Sequence, residues 1–189
     1  MSSLPDARRF TVAEYLKLGD AGILRPEERV ELVDGVIVAM SPQGPAHSAV
    51  VAQILPRLLD WFPRDRYCVR PQSTLPLLDD FSPEPDLAVV EGRCEEHQAA
   101  YPTKVALIVE VADTSARLDR GRKAELYAAA GVPEYWVVSI AEGVVEVHRE
   151  PGASGYALIR RLTAGDALLP SALEALGGAP LPAADLLPR

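Results

Sequence analysis

Apolar positions along the chain recur with two different periods, and the segments they define alternate between strand and helix. Lys104-Val-Ala-Leu-Ile-Val-Glu-Val111 is the clearest. Its apolar residues run on instead of alternating with polar ones, the pattern of a strand covered on both faces. Arg29-Val-Glu-Leu-Val33 does alternate, Asp34-Gly35 supplies a favourable two-residue turn, and Val36-Ile-Val-Ala-Met40 returns, so an N-terminal hairpin is predicted. Short strands are predicted at Tyr67–Arg70, Thr74–Leu78 and Asp86–Val90, and later ones at Glu134–Ile140, Val144–Arg149 and Tyr156–Leu162.

Helical spacing marks three further segments. Thr11-Val-Ala-Glu14 fits a capping box opening a short helix. From His47 to Phe62, Val50, Ile54, Leu58 and Trp61 share one face, although Pro56 is expected to kink or divide the helix. Asp113-Thr-Ser115 offers caps for a helix over Leu118–Ala130, which Gly131 ends with Pro133 beyond it. The order of strand, helix and strand from Lys104 to Ile140 suggests a right-handed parallel crossover within an otherwise antiparallel meander. The fold class is therefore α/β: a mixed sheet flanked by helices, with the N-terminal hairpin and additional C-terminal strands. No internal repeat is visible, and the stretch from Gly177 to Arg189 reads as a tail, either packed or loosely held.

Charges interrupt this apolar frame at a few places. A carboxylate within the Lys104–Val111 run costs several kcal/mol to desolvate unless a cation or donated hydrogen bonds compensate, so Glu110 needs a partner. A divalent cation shared with Asp86, which follows Pro85 at the start of a strand, would serve. Lys123, Leu126, Tyr127 and Ala130 fall at i, i+3, i+4 and i+7, which turns the lysine toward the sheet with the apolar stripe. Asp119 lies one turn earlier. As an ordinary i,i+4 pair, Asp119 and Lys123 would contribute only about 0.2–0.5 kcal/mol.

Composition narrows the function classes. A chain of 189 residues, 48% hydrophobic, is long enough for one well-buried core, and a single domain over residues 1–189 is expected, with residues 10–170 as its core. The net charge of −8 excludes a generally basic surface, so contact with nucleic acid must be local. Cys68 and Cys94 lack metal-ligand spacing and are expected as two reduced thiols. There is no apolar N-terminal leader and no stretch long enough to span a bilayer, which points to a soluble, cytoplasmic protein with no membrane partner. His97 and His148 read as surface residues, and Trp61, Tyr135 and Trp136 as core.

Taken in order, Glu31-Leu-Val-Asp-Gly35, Ser41-Pro42 followed by His47, Pro85-Asp86, Glu110-Val111, then Asp119, Lys123 and Tyr127, and finally Glu134-Tyr-Trp136 resemble the Uma-two family. These are endonuclease-like proteins of the PD-(D/E)xK superfamily with the restriction-endonuclease-like fold. The resemblance makes Asp86 the aspartate of the PD motif and Glu110 the acid of (D/E)xK. The chain departs from the motif at Ala112, where lysine is required, and Lys123 on the following helix is the natural substitute. Glu31 looks like the additional acid that many superfamily members supply from the N-terminal segment, against the alternative that it faces solvent on an alternating strand. His47 takes a support role, and Tyr127 could hydrogen-bond to the site or simply pack.

The implied chemistry is phosphodiester hydrolysis of nucleic acid, with DNA preferred, by a Mg²⁺-dependent (or Mn²⁺-dependent) endonuclease. Asp86, Glu110 and the backbone carbonyl of Val111 are the implied ligands, with Glu31 able to join them. Two basic sets could face a phosphate backbone: Arg57, Arg64, Arg66 and Arg70, and Arg117, Arg120 and Arg122. The plainer reading of both is solvated arginines balancing surplus acids. A homodimer that concentrates one set in a shared groove is expected. The alternative is a catalytically silent module of the same fold, acting in binding or dimeric interaction.

Overall fold

The computed structural model describes residues 7–25, 27–112 and 119–188, with Asp119 and Arg120 described by their backbone alone. The caps expected at Asp113-Thr-Ser115, and Arg117 and Leu118, lie outside the described residues. The rest divides into two units: Met1–Pro42 with Thr74–Glu84, and Gln43–Ser73 with Pro85–Arg189.

In the first unit, helix α1 (Val12–Asp20) opens on the expected capping box: Thr11 accepts from the Glu14 amide, and Glu14 accepts in return from the Thr11 amide. Strands β1 (Val30–Val33) and β2 (Val36–Ala39) pair antiparallel through a turn in which Asp34 and Gly35 both take positive φ, +52° and +71°. That is the geometry for which an Asp-Gly turn is favoured. Leu32 exchanges backbone hydrogen bonds with Ser82, and Leu32, Leu75 and Phe81 have no exposed surface. The strand predicted over Thr74–Leu78 does not form. Its amides are used in a reversal instead, Leu75 donating to the Pro83 carbonyl and Leu77 to that of Phe81, so no ladder is left to build.

The second unit holds the sheet. Helix α2 (Pro45–Trp61) precedes β3 (Tyr67–Pro71), β4 (Leu87–Glu91), β5 (Val105–Ala112), the short helix α3 (Ala124–Ala129), β6 (Glu134–Ser139), β7 (Val144–Gly152) and β8 (Gly155–Leu162). The strands lie in the order β3-β4-β5-β6-β7-β8. Only β5 and β6 are parallel, joined by the segment that contains α3, as the order of elements predicted. Pro56 does not divide α2. It sits on the exposed side of the helix, as does Ala52 four residues earlier, whose carbonyl loses its partner to the proline but can turn to water.

Alternation along the strands separates two faces. Leu87, Val89, Leu107, Val109, Val111, Trp136, Val138, Val145 and Val147 meet Val50, Ile54 and Leu58 of α2, and Phe62 just after it, in the main core. The opposite face carries Ala88, Ile108, Glu110, Tyr135, Val137, Glu146 and His148, and takes α3. The C-terminal stretch packs: β9 (Ala167–Leu168) pairs with β10 (Leu181–Pro182), helix α4 (Ser171–Glu174) lies between them in sequence, and Leu186 and Leu187 are buried. Gln53 of α2 secures it by donating to the carbonyls of Asp185 and Leu187 at 3.2 and 2.7 Å.

Two further expectations are corrected. Cys68 and Cys94 form a disulfide, with Cα atoms 4.9 Å apart, because β4 returns antiparallel beside β3 and the 3₁₀ turn Cys94–His97 folds back against it. His148 is buried at 2% exposure, because its register opposite Tyr135 points it to the α3 face, against the rings of Tyr135 and Tyr156. No helix among the described residues is long and apolar enough to cross a membrane.

Ile54 has no exposed surface, whereas Ile159 on β8 is 55% exposed. Urea unfolding should therefore find Ile54→Ala destabilised by about 2–5 kcal/mol and Ile159→Ala unchanged to within about 0.5 kcal/mol.

Candidate active site

Register brings the two acids together. Leu87 pairs with Val109, so the residue before Leu87 lies across from the residue after Val109, and the Asp86 amide donates to Glu110 Oε2 at 3.3 Å. The Val111 amide in turn donates to Asp86 Oδ2 at 2.8 Å. It is thus the N–H of Val111 that meets the acid pair. Both carboxylates are buried, Asp86 at 6% and Glu110 at 5% exposure.

Lys123 completes the group. Asp119–Lys123 is a π-type turn, broken at Gly121 (φ −102°, ψ −106°), and it leads into α3 in place of the single regular helix expected over Leu118–Ala130. Lys123 and Tyr127 are four residues apart and share one side. The ammonium Nζ lies 3.2 Å from Glu110 Oε1, and the Tyr127 hydroxyl donates to the same oxygen at 3.0 Å. Lys123 is only 4% exposed. A pair of charges this far from water is sustained only when geometry and extra hydrogen bonds offset desolvation, and the tyrosine hydroxyl and the Asp86 amide supply them.

Asp86 is held as firmly. His47, in the first turn of α2, places Nε2 3.0 Å from Oδ2, and Gln43 donates from Nε2 to Oδ1 at 3.2 Å. Gln72 then donates to Gln43 Oε1 at 2.9 Å, while its own backbone, at φ +42°, gives its N–H to the Asp86 carbonyl at 3.1 Å. Neither glutamine was expected. Gln43 lies in the Ser41-Pro-Gln-Gly-Pro45 loop, where no period marks it, and its one signal is position: four residues before His47, both residues grip the two oxygens of one carboxylate.

Glu31 belongs to the first unit, where it is 3% exposed and its Oε2 accepts from the Glu84 amide at 3.4 Å. The Asp119 side chain lies outside the described residues. Of the basic sets, Arg57 pairs with Asp185 at 3.4 Å and Arg122 with Glu125 at 2.7 Å, Arg64 and Arg66 are exposed, and Arg70 stands half-buried on β3. Glu134, part of the motif order, is structural: its carboxylate accepts from Trp136 Nε1 at 2.7 Å, Arg149 at 3.0 Å and the Ser171 amide at 2.7 Å. Burial first, and the negative charge of Glu134 second, push the Tyr156 hydroxyl above its ordinary range.

Among the described residues no set of three or more His, Cys, Asp or Glu gathers as a metal cage. The donor chemistry of Asp86 and Glu110 nonetheless fits a Mg²⁺-class ion. Such an ion takes hard oxygen ligands, keeps several of its waters and is commonly held by one or two carboxylates. A carboxylate oxygen has two acceptor sites; Asp86 Oδ2 and Glu110 Oε1 each already meet two partners, so ligation of an ion would fall to Asp86 Oδ1 and Glu110 Oε2.

The sheet, its two helical faces and the convergence of acids with an inward lysine give the architecture expected of the restriction-endonuclease-like class. A family model described as "Uma2: Putative restriction endonuclease" matches residues 12–183, and the chain belongs to that family. Among solved structures it is similar to a protein of Anabaena variabilis described as a putative nuclease belonging to DUF820, with a TM-score of 0.72, 20% sequence identity, and coverage of 94% of this chain and 97% of that one. At that identity the likeness is one of fold. No curated protein matches the chain.

If Lys123 and Glu110 depend on each other as their burial implies, Glu110→Ala should cost about 3–5 kcal/mol by leaving the ammonium uncompensated. A double-mutant cycle with Lys123→Met, read by urea unfolding, should return a coupling of about 1–3 kcal/mol, and additivity would contradict it.

Proposed function

We propose that this chain is a metal-dependent nuclease that hydrolyses phosphodiester bonds in nucleic acid, DNA before RNA, with Asp86 and Glu110 holding a Mg²⁺ or Mn²⁺ ion beside Lys123. The observation that supports this most is the 3.2 Å approach of the buried Lys123 amine to Glu110, which supplies from the turn before α3 the cation that the motif lacks at Ala112. When bound, the ion would lower the pKa of a coordinated water and screen charge on the phosphate.

Each residue then has a task that follows from its contacts. Asp86 presents its carboxylate in a fixed rotamer, because His47, Gln43 and the Val111 amide hold both oxygens. Glu110 is oriented by Tyr127 and by the Asp86 amide. Lys123, a charge fixed in a low-dielectric site, can orient the attacking water and favour the extra negative charge of the transition state more than it favours the ground state.

A second reading rests on a specific observation: all four oxygens of Asp86 and Glu110 already accept hydrogen bonds or face His47. A silent module would keep that closed network and bind no metal.

Cleavage of DNA and RNA by the wild type with Mn²⁺ should be lost in Asp86→Asn and Glu110→Gln, and should fall about 10²–10³-fold in Lys123→Met. Wild type that cleaves neither, and that gives no heat on Mn²⁺ titration, supports the silent module and refutes the nuclease reading.

A further inference from the structure

Arg70 carries a polar atom that the fold leaves unused. Its Nε is fully buried and has no hydrogen-bond partner, and among the described residues the guanidinium makes no ion pair. A buried N–H without an acceptor costs stability, and such groups in a folded protein need an explanation. Arg57, from the same basic set, shows the ordinary alternative, since it is neutralised by Asp185 at 3.4 Å.

The position of Arg70 bears on what its terminal amino groups, which make no ion pair among the described residues, can do. On β3 it pairs with Ala88 of β4, while its neighbours Tyr67 and Val69 pack into the core on the α2 side. Ala88 in turn pairs with Ile108, two residues before Glu110. Arg70 therefore stands on the sheet face that carries Asp86 and Glu110, and Asp86 is its diagonal neighbour across the β3-β4 ladder, at about 7–8 Å between such positions. An arginine stem spans that separation. β3 is also the edge of the sheet, so a ligand extending past the acid pair on this side would meet the guanidinium first. Two residues on, Gln72 begins the hydrogen-bonded string through Gln43 to Asp86.

We infer that Arg70 is the phosphate-binding residue of the site, its guanidinium contacting a backbone phosphate of the nucleic acid next to the bond presented to Asp86 and Glu110. A phosphate offers several acceptor oxygens in the geometry that the terminal amino groups of an arginine fork match. On a chain of net charge −8, a guanidinium on the sheet face of the acids supplies a local positive charge that the overall surface does not. This inference rests on the nuclease reading and adds the means by which substrate is held.

The test is equilibrium binding of the full chain to a fluorescein-labelled duplex of about 20 base pairs and to the matching single strand. Ca²⁺ replaces Mg²⁺, and salt runs between about 50 and 200 mM. For Arg70→Met, the slope of log affinity against log salt should become shallower by about 0.9 on duplex or about 0.7 on single strand, the loss of one phosphate contact. Its thermal midpoint should stay level or rise, since the orphaned donor is gone. Arg70→Lys should keep the wild-type slope and bind more weakly, because the charge remains and the fork is lost. An unchanged slope in Arg70→Met overturns the inference while leaving the nuclease reading intact. Wild type that binds neither probe overturns both. Should Arg70→Met fail to fold, Arg70→Lys decides: weaker binding supports the contact, and wild-type affinity refutes it.

Discussion

A carboxylate in the middle of a strand that is covered on both faces is the constraint from which the rest follows. Glu110 cannot remain ionised there without compensation. The protein supplies it from three directions: an ammonium and a phenol from the segment after β5, and a main-chain amide from the residue before β4. Each donor requires a piece of the fold. The amide requires the register of β4 on β5, and the ammonium and phenol require a parallel crossover that returns a helix over the same sheet face. The acid is thus a reason for the topology as well as its beneficiary.

Asp86 is the other half of the same arrangement. Its partners come from α2, from the loop before it and from the residue after β3, so elements distant in sequence agree on one side-chain position. Fixing a carboxylate this way costs conformational freedom that a surface aspartate would keep. Such over-determination is what positioning a ligand demands, because a site loose by an ångström loses most of its advantage.

Much of this was legible in the sequence, for identifiable reasons. The hairpin followed from Asp34-Gly35, the central strand from an unbroken apolar run, and the inward lysine from its spacing with Leu126 and Tyr127, all signals confined to a few neighbouring residues. The misses share the opposite property. Thr74–Leu78 alternates like a strand, but pairing is decided by what lies alongside, and the chain reverses there instead. Pro56 breaks a helix only where the orphaned carbonyl lacks water, which depends on which side faces out. The Cys68–Cys94 bond and the inward His148 follow from strand register, and the Gln72–Gln43–Asp86 string from three segments meeting, none of which a period can report.

The central question is whether the Asp86–Glu110 pair, with Lys123 beside it, is built to receive an ion. Crystals of the wild type grown with Mn²⁺ and recorded at the manganese absorption edge test this most directly. The account predicts an anomalous peak bonded to one oxygen of Asp86 and one of Glu110, with the Lys123 amine still within hydrogen-bonding reach of Glu110. An empty difference map at the acids, or an ion seated elsewhere with Lys123 turned to solvent, would contradict it.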